Sequence, residues 1–314
     1  MDDRSRIAEA KAETIAADVV RALPVKTRNR LLFDLLQEAG ATGIVIPGEN
    51  GEIEGFLADR TVILKYLKNK SWTIETVWLM QAVFAAQGAG SWIDLGANIG
   101  TTVIPAALAG AACHAVEADP ANRALLERNI ARNGVADRVS VHAAAVWDAP
   151  TELSFEIAPA NLGDHRVRTA APNDDKGADN AYGEQARETI AVAARPLDDL
   201  IDADALTGTV IVKLDIQGAE GHAFAGGARL FDRADVACLE YWPYGLRRLG
   251  TEPEDLFVRI GRHFSHAALV TDDQRPETIE LRPFADLTDD LLVAEDDNRT
   301  VALDLVLAKC PQLL

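Results

Sequence analysis

Residues 91–100 read Ser91-Trp92-Ile93-Asp94-Leu95-Gly96-Ala97-Asn98-Ile99-Gly100. A short apolar run that passes through a carboxylate into small residues is a strand feeding a tight turn. Gly96 and Gly100 permit sharp bends and a close approach of backbone to a neighbour. Asn98 stands between them, and Asn is the non-glycine residue that best tolerates a left-handed backbone. A turn built only to hold phosphate offers N–H groups and avoids nearby negative charge. Here Asp94 sits at the mouth, so the expected ligand carries a cation.

The rest of the chain says what surrounds this turn. Apolar strands are expected at 91–95, 113–117, 139–146, 210–215 and 236–241, with 266–270 and 303–308 completing the set. Helical patterns separate them at 101–108, 122–133, 219–231 and 254–264, the second closed by Gly134. Near-continuous apolar strands alternating with helices imply an α/β fold, with a parallel sheet covered on both faces. Upstream, residues 5–40 carry two helical stripes, one on Ile7, Ile15, Val19 and Leu23 and one on Leu31, Leu32, Leu35 and Leu36. Short strands are expected at 43–47 and 55–64 around the turn at 47–51, then an amphipathic helix over 72–86. Residues 161–188 are polar and turn-rich and read as a long surface loop. This divides the chain into an N-terminal helical extension with the start of a hairpin, 1–54, and a main domain, 55–314.

A net charge of −18 and a pI near 4.7 disfavour nucleic acid and anionic membranes, both of which call for basic patches. No run of about 18 apolar residues is present to span a bilayer. The charged start Met1-Asp2-Asp3-Arg4 lacks the apolar core of a signal peptide. Cys113, Cys238 and Cys310 are far apart and odd in number, so they read as reduced core residues in a cytoplasmic protein. The acidic stretch 286–297 reads as a solvated loop and helix face, and no metal site is expected.

In an open parallel sheet, ligands bind outside the carboxyl ends of the strands. Three expected strand ends carry acids: Asp94, Glu117 and Asp215. Glu117 can accept both hydroxyls of a ribose, a reading that fits NAD as well as other nucleosides. Asp94 favours S-adenosylmethionine, which carries an ammonium and a sulfonium. So does the incomplete glycine pattern, which ends at Thr101, where a dinucleotide fingerprint would have a third glycine. Ala144 follows the third strand, where an adenine edge would meet backbone or apolar surface. In Lys213-Leu214-Asp215, charges inside an apolar strand demand a partner or a cleft. Asp215 is the candidate base that would take a proton from an acceptor. Lys213 pairs with Asp215 or with Glu240, or braces the cleft. Glu220 opens a helix, where negative charge is favourable anyway. The aromatic run at 241–244 suits either an acceptor wall or the core. Of the histidines, His114, His142 and His222 read as structural, and His165 is the least determined.

Taken together, WIDLGANIGTT (92–102), VEADP (116–120), IVKLDIQGAE (211–220) and LEYWPYGL (239–246) resemble the FkbM family of S-adenosylmethionine-dependent methyltransferases. The segment holding Asp59, Trp72 and Glu75 is similar too, and the resemblance spans roughly residues 55–310. It implies a class I methyltransferase fold, Rossmann-like, with seven mostly parallel strands, the last antiparallel, and helices on both faces. It also implies O-methylation of a sugar, glycan or natural-product hydroxyl. The cofactor-binding set would be Asp94, Gly96, Asn98, Gly100, Glu117 and Ala144, with Asp215 catalytic. Where the family often has Glu, this chain has Gln217, which removes a charged contact and argues against a metal. Two other readings stay open: a methyltransferase fold that binds without catalysis, and an NAD-dependent oxidoreductase.

Overall fold

The computed structural model describes residues 17–168, 187–272, 274–297 and 302–313. The stripe on Ile7 and Ile15, and most of the expected loop at 161–188, lie outside these residues. The described chain opens on helical residues 17–22, followed by helix α1 (Val25–Glu38) and a hairpin of β1 (Gly43–Gly48) and β2 (Gly51–Phe56). The strand expected over 55–64 stops at Phe56, and Val62–Asn69 is instead helix α2. Buried Asp59 decides this, because its Oδ1 accepts from the N–H groups of Thr61 and Val62 at 2.9 Å and so starts a helix. Helix α3 (Ile74–Gln87) follows.

The alternation then sets in: β3 (Ser91–Leu95), α4 (Val103–Leu108), β4 (Ala112–Val116), α5 (Pro120–Arg132) and β5 (Val139–His142). The single strand expected over 139–146 is broken in two. Its second part, β6 (Ala145–Val146), leaves the main sheet and joins a second sheet with three later strands. These are β7 (Thr151–Ile157), β8 (Arg166–Val167) and β9 (Glu188–Arg195), which form a four-stranded sheet in the order β6-β9-β7-β8. So the expected loop at 161–188 contains β8 and ends on the first residue of β9.

After α6 (Leu197–Leu200) comes β10 (Val210–Leu214). The helix expected over 219–231 is interrupted at Gly226-Gly227, giving α7 (Glu220–Gly226) and α8 (Ala228–Arg233). The chain closes with β11 (Val236–Tyr241), α9 (Pro243–Arg248), α10 (Pro253–Ile260), β12 (His266–Val270), β13 (Arg282–Pro283), α11 (Phe284–Asp297) and β14 (Leu303–Ala308).

The main sheet runs β13-β12-β14-β11-β10-β3-β4-β5. β14 inserts antiparallel between β11 and β12, and β3, β4, β5, β10 and β11 are parallel. This is the seven-stranded class I methyltransferase arrangement, extended by the two-residue edge strand β13. Side chains alternate across it. Trp92, Cys113, Ile211 and Val236 pack with Val83, Val103 and the hairpin's Ile46 and Ile53. Ile93, Leu95, Val212 and Leu239 pack with Phe224, Phe231 and Leu256 on the other face. By the same period, Asp94 and Lys213 share the face of Trp92 and Ile211. The strand order reverses between β3 and β10, and a site should open there, at the carboxyl ends.

Candidate active site

A solvent-open cleft lies at those carboxyl ends. Gly96, Asn98, Glu117, Ala144 and Asp215 line it. Asp94 and Gly100 do not. The turn after β3 is shaped as its residues require, with Gly96 at φ +77°, Asn98 at φ +51° and Gly100 at φ +96°. A Cβ on Gly96 would collide with the carbonyl oxygen of Asp215, so the bare backbone lets the β3 turn touch the end of β10. Gly100 serves packing, because a Cβ there would stand 2.8 Å from Leu126 of α5.

Asp94 corrects the argument from ligand charge. Its carboxylate lies fully buried one layer beneath the cleft. Oδ2 accepts from the Thr102 hydroxyl, and Oδ1 stands 3.4 Å from Lys213 Nζ. Lys213 is the residue paired with Asp94 in the parallel register of β10 on β3. Its ammonium also donates to the Gly96 carbonyl at 3.0 Å and lies 3.6 Å from Asp215 Oδ2. Burial by itself would drive off its proton, but Asp94 and Asp215 outweigh burial and hold the pKa above the ordinary lysine value. The negative charge at the turn's mouth is therefore matched inside the protein.

Glu117 is buried at the end of β4. Oε2 accepts from Asn98 N and Oε1 from Asp119 N, both at 2.8 Å, so the carboxylate ties the turn to the strand end. Burial is the main cause of a pKa pushed up to about 7, with Asp119 adding to it and the two amides opposing.

Asp215 reaches the cleft with its side chain about one-third exposed. Gln217, at φ +55°, donates from Nε2 to Asp215 Oδ1 and to Glu240 Oε2, each at 2.9 Å. Burial, then Asp215 and Glu220, hold Glu240 well above the usual carboxylate range. Glu220 braces the turn from within: its Oε1 accepts from Ile216 N at 3.2 Å, and burial raises its pKa to about 7.

Trp242 does not line the cleft; it is buried, with the Arg166 guanidinium 5.0 Å above its ring. Cys113 and Cys238 are buried as expected, whereas Cys310 is only half-buried in a turn; all three are free thiols. Among the described residues no group of three or more His, Cys, Asp or Glu is placed to hold a metal ion. Nor is any described helix long and apolar enough to cross a membrane.

Two contributors, Asn122 and Asn50, escaped the sequence reading, and a third, His165, was left undetermined by it. Asn122, on the first turn of α5, donates to the Leu162 carbonyl at 2.9 Å and lines the cleft. His165 faces the cleft beside Phe155, and burial holds its pKa below the usual histidine value. Buried Asn50 pins the segment before α3 to the turn after β3: it donates to the carbonyls of Trp72 and Thr101 at 2.9 and 2.7 Å and accepts from Trp72 N at 3.0 Å. An Asn within a hairpin turn gives no sign of reaching partners so far along the chain.

The methyltransferase FkbM domain matches residues 94–259, just over half of the chain. This chain belongs to the FkbM methyltransferase family. The match runs from Asp94 into α10 and includes Asp94, Glu117, Asp215, Glu220 and Glu240. Three solved structures are similar at low identity. One is a methyltransferase FkbM from Methylobacillus flagellatus, 16% identical, covering 80% of this chain and 53% of that one, with a TM-score of 0.37. The chain thus spans about half the length of that protein. The others are Pyrococcus horikoshii TYW2 in complex with MeSAdo (16% identical, 86% and 72% covered, TM-score 0.39) and a Bacillus cereus O-methyltransferase in complex with SAH (12%, 76% and 82%, 0.38). None of the curated proteins matches this chain.

Proposed function

We propose that this FkbM-family protein transfers a methyl group from S-adenosylmethionine to a hydroxyl on a sugar, glycan or natural-product acceptor. The observation that carries the reading is the meeting in one cleft of the bare turn at Gly96–Asn98, Glu117 and Asp215. The wall suits a polar nucleoside ligand. Two buried oxygens of lining residues, Asn98 Oδ1 and Asn122 Oδ1, have no hydrogen-bond partner in the protein, and such atoms call for a ligand or ordered water.

When bound, the donor supplies a methyl group activated on a sulfonium. Glu117 would accept the ribose hydroxyls, the Gly96–Asn98 turn would lie along the donor's chain, and Ala144 would face the base. Gly100 acts through packing. Asp94 acts at one remove, by holding Lys213 and Thr102 in place. Asp215 would take the proton of the acceptor hydroxyl, a group about as weakly acidic as water, whose pKa is about 15.7. Gln217 and Lys213 fix its two oxygens, so donor and acceptor meet in one orientation. The three free thiols suit a reducing compartment such as the cytoplasm.

Two measurements test the reading. Titration calorimetry should give binding of S-adenosylhomocysteine and none of NAD; the reverse overturns it. Incubation of cell extract with isotope-labelled donor and purified protein should yield a labelled small molecule carrying one new O-methyl group by mass. Tight cofactor binding without any labelled product would leave a binding module instead of an enzyme.

A further inference from the structure

Helix α1 lies before the matched domain, and it has two apolar faces where a surface helix usually has one. Phe33 and Leu36 turn inward; Phe33 is fully buried and Leu36 packs against the core. The other face carries Val25, Leu32 and Leu35, which are 46%, 40% and 52% exposed. Spaced i, i+7 and i+10, with Arg28 at i+3, they form a seam of the kind that two paired helices share. Val19 and Val20, on the helical residues just before, are exposed as well. Five of the nine large hydrophobics exposed among the described residues thus fall within residues 19–35. Such a concentration marks a docking surface.

The charges say what docks there. Lys26, Arg28 and Arg30 occupy the first half of α1 and Asp34 and Glu38 the second, with no acid in the first turn and no base in the last. That order opposes the helix dipole, which favours acids at the N-terminus and bases at the C-terminus. A second α1 laid antiparallel supplies what the single helix lacks, an acidic end beside the basic one and the reverse. Asp34 is engaged within the chain by Arg60 at 3.0 Å. By the helical period Arg28 lies within the seam and Glu38 on its border, whereas Lys26 and Arg30 point away from it. We infer that two copies of this protein pair through α1 about a two-fold axis, Leu32 of each against Leu35 of the other and Arg28 of each beside the other's Glu38. One antiparallel register serves both pairs, because each straddles the same point of the helix, at residues 33–34. A two-fold contact of this kind is closed, so assembly stops at the dimer. The seam of 14 residues is short, so the pairing is weak, with a Kd on the order of 10 µM. The inference stands apart from the methyl-transfer reading.

Sedimentation equilibrium of the full chain tests it. The wild type should be the 33.8 kDa monomer at about 0.5 µM and mostly its dimer at about 200 µM. Leu32→Glu and Leu35→Glu, both at exposed positions, should keep the wild-type circular dichroism and raise the Kd by ~30-fold or more, because each sets an unpaired charge in the seam. Arg28→Glu puts like charges together at both ends of the contact and should weaken pairing roughly tenfold, as should Glu38→Arg. The double variant Arg28→Glu, Glu38→Arg re-forms both pairs with their signs exchanged and should return to within ~3-fold of the wild type. A monomer throughout the range overturns the proposal and leaves the seam to another occupant. Growth past the dimer overturns it too, as does association unmoved in folded Leu32→Glu and Leu35→Glu. So does a double charge variant that pairs no more tightly than the two single ones, since an antiparallel pair must tolerate the exchange.

Discussion

Lys213 and Asp94 stand side by side on adjacent parallel strands, ammonium to carboxylate at 3.4 Å, with Lys213 lining the cleft and Asp94 buried behind it. The pair joins the turn after β3 to the end of β10, because the same ammonium also holds the Gly96 carbonyl. Removing one member leaves the other as an uncompensated buried charge, which typically costs about 3–5 kcal/mol. Lys213→Met should lose that much in urea denaturation. The double variant with Asp94→Asn should recover a large part of it, because no lone charge then remains buried. Strictly additive losses would show that the two residues act independently.

Asp215 is the acid of this network that opens to the cleft, and the proposal makes it the acceptor's base. Asp215→Asn keeps the shape and removes the proton acceptor. Methyl transfer should fall by ~10²–10⁴-fold, with S-adenosylhomocysteine affinity kept within a few-fold. Undiminished turnover would exclude Asp215 from the chemistry.

The contrast between these two acids shows what the sequence could reveal. Alternating apolar runs displayed every long strand of the main sheet, and the turn at 94–100 announced a left-handed Asn98. β7 was also legible, in the alternation of Leu153, Phe155 and Ile157, but its polar flanks masked it. Helix α2 was hidden because Val62-Ile63-Leu64 looks like strand, and one buried cap, Asp59, decided otherwise. One partner of Lys213, Asp215 at 3.6 Å, was legible two residues along the chain, whereas the nearer one was beyond local reading. Asp94 lies more than a hundred residues earlier, and only the adjacency of β3 and β10 puts them together. Asn122 and His165 were obscure for the same reason: their roles depend on Leu162 and Ala158 folding back over the cleft.

Glu117 titrates in the folded protein at about 7 because it is buried, against an ordinary value of 4.5. A carboxylate raised in this way contributes stability that is fully present below pH 4.5 and is lost as pH rises through 7. Free-protein stability should therefore fall between pH 5 and 7.5. Glu220, raised to about 7, and Asp304, raised to about 6, both mainly by burial, act in the same direction. Ligand affinity should run the other way, since ribose hydroxyls need the ionised acceptor. S-adenosylhomocysteine should bind more weakly by up to about tenfold per pH unit below 7. Glu117→Gln should flatten the affinity profile and lessen, without abolishing, the slope of stability. An affinity profile equally steep in the variant would assign the titration to another group.

Gln217 lies between two carboxylates, and its geometry explains what the amide accomplishes. One Nε2 donates to two carboxylates, Asp215 and Glu240, at 2.9 Å each. Gln217→Glu replaces that shared donor by a third acid. At pH 8 both hydrogen bonds are lost and three negative charges crowd together, so stability should fall by about 1–3 kcal/mol. At pH 5 a proton held among the three acids restores one donor, and most of that loss should vanish. The sign follows from a carboxyl whose pKa is raised in the folded state, which gives up stability as pH rises. Denaturation midpoints of the two proteins at the two pH values check it. A loss equal at pH 5 and pH 8 would mean that the amide is needed for its shape and not for its protons.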